Sequence, residues 1–315
     1  MAEPLVVAAL YRFTPWTDPA AIRGPLEHVC RSNGVRGTVL LATEGINGTV
    51  AGTRAGVDTV LAHLRTLPGC SDLIPRESTA PRQPYRRMKV RVKREIVTMG
   101  AGDVDPTAAV GHYVDPQDWN DLIAADDVVL IDTRNDYEVA IGTFSGAIDP
   151  GTQRFRDFPG WWQANAQHFQ GKRIAMFCTG GIRCEKSTSW LRQHGVEDVF
   201  HLRGGILAYL EQIPPTDSRW AGQCFVFDSR VSVGHGLQPG DHTLCHACRR
   251  PLSAEQTQHP AYARGVSCHR CIDERSPQDR LRYAERQRQV DLAARRGEDH
   301  LAAEVIARGN TAGSG

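Results

Sequence analysis

The stretch KRIAMFCTGGIRCEKSTSWL, residues 172–191, limits what this chain can become more than any other. A short apolar run enters a glycine-rich turn bracketed by two cysteines, and a helix-like segment leaves it. Two further runs share its form, DDVVLIDTR at 126–134 and VEDVFHLRGG at 196–205, with helix-like segments between. Strands apolar on both faces and alternating with helices predict a parallel sheet in an α/β domain. In such a sheet the functional loops lie at the C-terminal strand ends, where Asp132, Cys178 and Arg203 fall.

Between Cys178 and Cys184 the backbone turns from strand to helix through Thr179, Gly180, Gly181 and Ile182. The two glycines admit left-handed angles, which let amide N–H groups converge on one point. A helix N-terminus adds partial positive charge there, and Arg183 adds a full one. Each of these acidifies a thiol or holds an anion, so Cys178 is the candidate nucleophile and Arg183 its anion-steadying partner. A phosphate cradle uses the same amides but gains nothing from a leading cysteine. The plainer alternative is a buried cysteine ahead of a turn. Cys184, in the first helical turn, is expected to be acidified too. It either resolves an oxidised Cys178 through a disulfide or packs against the sheet.

Residues 1–100 read as β-α-β-β-α-β, the order of a ferredoxin-like α+β domain. PLVVAALYRF, RGTVLLA, NGTVAG and, as the closing strand, MKVRVKREIVTM carry the strand signals. Helical spacing fills 19–33 and the segment that follows a capping Thr53. Arg86 and Arg87 precede the last strand, in which Lys89, Arg91 and Lys93 alternate with Val90 and Val92. A period of two predicts buried valines on one face and a row of cations on the other. That row suits RNA phosphates, with Tyr85 available for stacking. An edge strand guarded against aggregation carries the same pattern. The formal net charge of +1 makes no global case for nucleic acid.

After IPPTDSRWAG the character changes again, to a cysteine-rich module over 222–300 with a charged helix, and an expected disordered tail at 301–315. Cys245, Cys248, Cys268 and Cys271 form C-x2-C…C-x2-C with 19 residues between the pairs. The spacing suits a tetrahedral, structural zinc site in a small ribbon-like module. The chain's nine cysteines are an odd number, and Cys30, Cys70 and Cys224 sit among apolar neighbours. Thiol chemistry and metal binding in a reducing cytoplasm are therefore expected rather than a disulfide framework. No apolar run approaches the roughly 18 residues of a membrane span. The first residues lack the positive start of a signal peptide, so no membrane partner is expected.

The loop CTGGIR resembles the active-site loop of rhodanese domains, and the likeness extends over about 112–214. It takes in Asp132, Arg134, Tyr137, Glu138, Gly142, Gly146 and Ala147, and the late glycine turn of LRGGI. In rhodaneses the first loop cysteine carries a persulfide, a role that falls on Cys178 here. The whole chain is similar to the bacterial tRNA uridine hydroxylases, through EGINGTVAG, RRMKVRVKREIV, FCTGGIRCEKS, CFVFDSRV and the cysteine pairs. That resemblance implies formation of 5-hydroxyuridine at the wobble position of a tRNA anticodon loop, with molecular oxygen as cosubstrate. No flavin fingerprint or iron-binding triad is legible, and no protein partner is indicated. A persulfide sulfurtransferase acting on tRNA or a protein uses the same Cys178. A non-catalytic RNA-binding or redox-sensing protein is the third reading.

Overall fold

A computed structural model describes residues 3–296, which divide at 244/245 into two compact units. The first unit begins with β1 (Leu5–Phe13), α1 (Pro19–Ser32), β2 (Arg36–Ala42), β3 (Gly45–Gly52) and α2 (Arg54–Arg65). β4 (Arg76–Ala80) and β5 (Met88–Val92) complete its first sheet. Asp18 and Thr53 start the two helices by accepting amide N–H bonds in the first turn. The helices cover one face, where Leu10, Leu26, Val39, Ile46, Val60 and Leu64 are buried.

The strand order is β4-β1-β3-β2-β5. The first four run antiparallel, which is the ferredoxin-like arrangement, and β5 lies parallel to β2 on the far edge. The closing strand is therefore β4, and the 88–99 segment is an addition. β4 escaped the sequence expectation because RESTA is polar and covers only an edge. β5 stops at Val92, since the chain beyond finds side-chain partners instead of a ladder. The Ile96 N–H donates to Glu44, and the Met99 and Gly100 N–H groups donate to Glu95. Of the two valines expected inside, Val90 is buried, whereas Val92 is 40% exposed at the frayed end.

The second sheet is parallel, in the order β6-β10-β9-β7. Its elements are β6 (His112–Val114), α3 (Pro116–Ile123), β7 (Val128–Asp132), α4 (Asp136–Val139) and β8 (Gly142–Phe144). α5 (Phe158–Asn165), β9 (Arg173–Phe177), α6 (Ile182–Gln193), β10 (Val199–Leu202) and α7 (Gly205–Gln212) follow. β6, only three residues long, had no legible signal. Phe144 is fully buried, with ring centroids of Phe177, Tyr209 and Trp220 4.9, 4.7 and 5.1 Å away. β11 (Trp220–Gly222) pairs with β8. Cys224, Val226, Val233 and Leu237 then join the same core. Residues 222–244, expected to open the C-terminal module, belong to this unit because that apolar set is buried here. Cys30 and Cys70 are buried in the first core, as expected of small apolar side chains.

The second unit gathers Cys245, Leu252, Cys268 and Cys271 into a small core. α8 (Pro277–Arg295) starts at a capping Ser276. Arg280 donates to the Ile272 and Arg275 carbonyls, and Arg286 to those of His246 and Gly265, fastening the helix to the cysteine knuckles. The modest stripe of Leu281, Ala284 and Val290 does not form a core, for Leu281 is 73% exposed. The expected tail at 301–315 lies outside the described residues. Among those described, no helix is long and apolar enough to cross a membrane.

Candidate functional site

β9 delivers Cys178, with no exposed surface, to the C-terminal edge of the parallel sheet. Its Sγ accepts the Gly181 N–H at 3.1 Å. Burial by itself raises the Cys178 pKa. Hydrogen bonding from the Cys184 thiol, the Arg183 charge and the Cys184 and Gly181 amides outweigh it and bring the value down to about 6. Cys184 moves oppositely: burial and the adjoining Cys178 sulfur push it well above its ordinary value. The pair thus holds one thiolate and one thiol. Cys184 is not acidified by its place in the helix, because the thiolate beside it and the dry surroundings oppose the dipole.

The loop is held from two sides. The Ile206 and Leu207 N–H groups donate to the Cys178 and Thr179 carbonyls at 2.9 and 3.0 Å. A Cβ at Gly205 would lie 2.4 Å from the Cys178 carbonyl oxygen, so the LRGGI turn needs its second glycine for close approach. On the other side Arg183 makes two bonds to Glu138, at 2.7 and 2.8 Å, in a buried pair. The guanidinium is therefore committed to a carboxylate. It fixes the turn and contributes its field at Cys178. Asp132 is engaged in a fully buried pair with Arg134.

A cavity of about 1180 Å³ opens over the loop. Its other wall is the helix-free face of the first sheet, including Tyr11, Leu40, Asn47 and Thr49. A volume above the usual range for small-molecule pockets suits a nucleotide with its flanks. Ile74 and Phe227 line it while 86% and 64% exposed, an unusual placement for large apolar side chains. Arg203 lies over the Tyr113 ring at 4.5 Å and pairs with Asp115, and Arg76 pairs with Glu211. Arg154 and Arg156, also in the lining, have no carboxylate partner among the described residues.

The expected cations lie further out. By register Lys89 and Arg91 share a sheet face with Thr38 and Leu40, both in the cavity wall. Arg86, Arg87, Arg91 and Lys93 are exposed on the β5 edge, and Lys89 is half-buried. Tyr85 is not free to stack. It is largely enclosed and hydrogen bonds to Thr49 and Asp228, with burial pushing its pKa up.

A family model described as the UPF0176 acylphosphatase-like domain matches residues 5–96, and a rhodanese-like domain model matches 115–212. A tRNA uridine(34) hydroxylase of Ruegeria pomeroyi is 65% identical over 296 residues, covering 94% of this chain and 98% of that protein. One from Gluconobacter oxydans is 58% identical over 303 residues, covering 95% and 97%. The chain belongs to the tRNA uridine(34) hydroxylase family.

Sequence reasoning missed two further features of this hydroxylase-family chain. Lys186, on α6, is buried with its Nζ 2.7 Å from both Glu44 and Glu95 and 3.2 Å from the Val97 carbonyl. That cluster ties the cysteine-bearing helix to the first sheet. Its one sequence signal was Glu44 in EGINGTVAG, a carboxylate amid glycines with no helix to stabilise. Tyr11, Tyr113 and Glu185 were also missed, since each lies in an element of ordinary composition.

In the second unit the Sγ atoms of Cys245, Cys248, Cys268 and Cys271 all lie within 4.8 Å of one another. Sulfur–sulfur separations include 3.9 Å (Cys245–Cys271), 3.7 Å (Cys248–Cys268) and 3.6 Å (Cys268–Cys271). A tetrahedron with metal–sulfur bonds of about 2.3 Å has edges of roughly 3.8 Å. The four cysteines therefore fit a closed thiolate metal site.

Proposed function

We propose that this chain hydroxylates C5 of uridine 34, the wobble base, in tRNA, with Cys178 as nucleophile and molecular oxygen as cosubstrate. The reading is carried by an acidified, buried sulfur beneath a nucleotide-sized cavity, in a chain 65% identical to a tRNA uridine(34) hydroxylase. C5 of uracil is not electrophilic. Thiolate addition at C6 makes an enolate that is nucleophilic at C5, and this carbon takes up the oxygen. Loop amides and Arg183 offset charge around the sulfur. With O2 as donor, two electrons are needed to carry its second oxygen to water. While Cys178 is still joined to C6, the Cys184 thiol takes the outer oxygen of the C5 hydroperoxide, leaving a C5 hydroxyl and becoming a sulfenic acid. Once eliminated from C6, the Cys178 thiolate condenses with that sulfenic acid to a disulfide and water, which gives Cys184 the resolving role.

The anticodon is single-stranded, so its wobble base can be splayed into the cavity. Arg154 and Arg156 serve its phosphates at the mouth, with Arg86, Arg87, Lys89, Arg91 and Lys93 extending the track along β5. Phe227 offers a face for a neighbouring base. Zinc at the four cysteines is structural, because four thiolates leave no open position. The working boundaries are 1–100 for the ferredoxin-like part and 112–214 for the rhodanese-like part, and the compartment is the cytoplasm.

Nucleoside mass spectrometry of tRNA from a deletion strain, complemented with the wild type or with Cys178→Ser, tests this. Restored 5-hydroxyuridine derivatives with the wild type alone support it; full restoration by Cys178→Ser refutes it. Loss of a thiolated nucleoside instead points to sulfur transfer, which the amide-held Sγ equally suits.

A further inference from the structure

Three carboxylates line the cavity above Cys178: Asp72, Asp228 and Glu185. Asp72 is paired with Arg12 at 2.9 Å, and Asp228 with Arg230 at 2.6 Å. Glu185 has no cationic partner within ion-pair distance among the described residues. Neutral phenols hold it instead. Tyr11, from β1, donates to Oε1 at 2.6 Å, and Tyr113, from β6, hydrogen bonds to the same carboxyl.

The arrangement is close to the sulfur. The Glu185 N–H donates to the Gly181 carbonyl at 3.0 Å, and the Gly181 N–H is the one bonded to Cys178 Sγ. A Cβ built on Gly181, at φ 101°, would come 2.8 Å from the Tyr11 hydroxyl. The phenol–carboxyl pair therefore stands directly against the loop, and a side chain at 181 would displace it.

Resting on the reading above, we propose that Glu185 is the general base that closes the reaction by removing the C5 proton. Once oxygen is on C5, the ring is a 5-hydroxy-5,6-dihydrouracil joined to Cys178 through C6. The carboxylate takes the C5 proton, the C5–H electron pair becomes the C5–C6 double bond, and the C6–S pair returns to sulfur. The step releases 5-hydroxyuridine and the Cys178 thiolate and needs no oxidant. Tyr11 and Tyr113 aim the carboxylate without neutralising it, which an arginine would do. Burial, the main influence on Glu185, raises its pKa and strengthens it as a base.

The test is single-turnover reaction of Glu185→Gln with substrate tRNA, followed on denaturing gels and by mass spectrometry of the protein–RNA adduct. The expected result is a covalent adduct that already contains the added oxygen, with product release slowed by roughly 10²-fold or more. Substrate deuterated at C5 should slow release further in the wild type. Release at the wild-type rate would overturn the proposal. So would loss of both adduct and product in a variant whose Cys178 still alkylates normally, because Glu185 would then act before the elimination. Hydroxylation by Cys178→Ser removes the underlying reading instead, so the two failures are distinguishable.

Discussion

The chain carries two sets of close-packed cysteines that solve the problem of a thiolate's charge in different ways. At Cys178 and Cys184 the charge stays on one sulfur, and the neighbour remains a proton donor. An amide, a helix start and an arginine already held by Glu138 stabilise that single charge. At Cys245, Cys248, Cys268 and Cys271 backbone N–H groups also reach the sulfurs, but here four sulfurs converge at spacings that fit one cation. The first set keeps an acidified sulfur facing a cavity. The second closes on itself, which suits a structural role. Burial alone does not separate them, since three of the four clustered cysteines are as buried as the loop pair. What separates them is whether the counter-charge is built into the chain or comes from outside it.

Removing the outside charge should have the largest effect. Apparent zinc binding in small modules is worth on the order of 10 kcal/mol. A strong chelator, or Cys248→Ser, should therefore open 245–296 to limited proteolysis while leaving alkylation of Cys178 unchanged. Equal protease resistance with and without metal would erase the distinction between the two sets. Next comes Cys178→Ser, expected to lower hydroxylation by about 10⁴-fold, read by single-turnover assay of purified enzyme. Its metal content should not change.

Glu138→Gln tests the built-in charge. It leaves Arg183 buried without its carboxylate and should cost about 3–5 kcal/mol, measured by urea denaturation. A loss near zero would mean that the loop is held by the LRGGI contacts alone. The smallest effect concerns the thiol pair. In the wild type, the rate of Cys178 alkylation should rise with pH through a midpoint of about 6, because the thiolate persists above that pKa and is protonated below it. Cys184→Ala removes the leading acidifying hydrogen bond, so the midpoint should move up, with alkylation at pH 6 slowed by roughly 10-fold. An unchanged midpoint would reduce Cys184 to packing.

Much of this was legible because it depends on local pattern. CTGGIRC marks a strand-to-helix turn by its glycines, and the two C-x2-C pairs mark a metal knuckle by spacing. The alternation in DDVVLIDTR and KRIAMFC marks the parallel sheet. MKVRVKREIVTM misled in the same local terms. Its period of two is real, but its place at the far edge and its end at Val92 follow from Glu44 and Glu95 capturing later amides. Tyr85 looked available for stacking until Thr49 and Asp228 enclosed it.

By itself the sequence determined the glycine loop between two cysteines, the four thiols whose spacing suits one metal ion and the classes of sheet, since each needs only residues near one another along the chain. Tertiary structure decided the chemistry around them. Which sulfur bears the charge depends on Arg183, Glu138 and burial together. The carboxylate left for proton transfer depends on Tyr11 and Tyr113 meeting Glu185 from strands about a hundred residues apart. Electrostatic shifts fall off over a few ångströms and are sensitive to exclusion of water, and both are set by packing rather than by spacing along the chain.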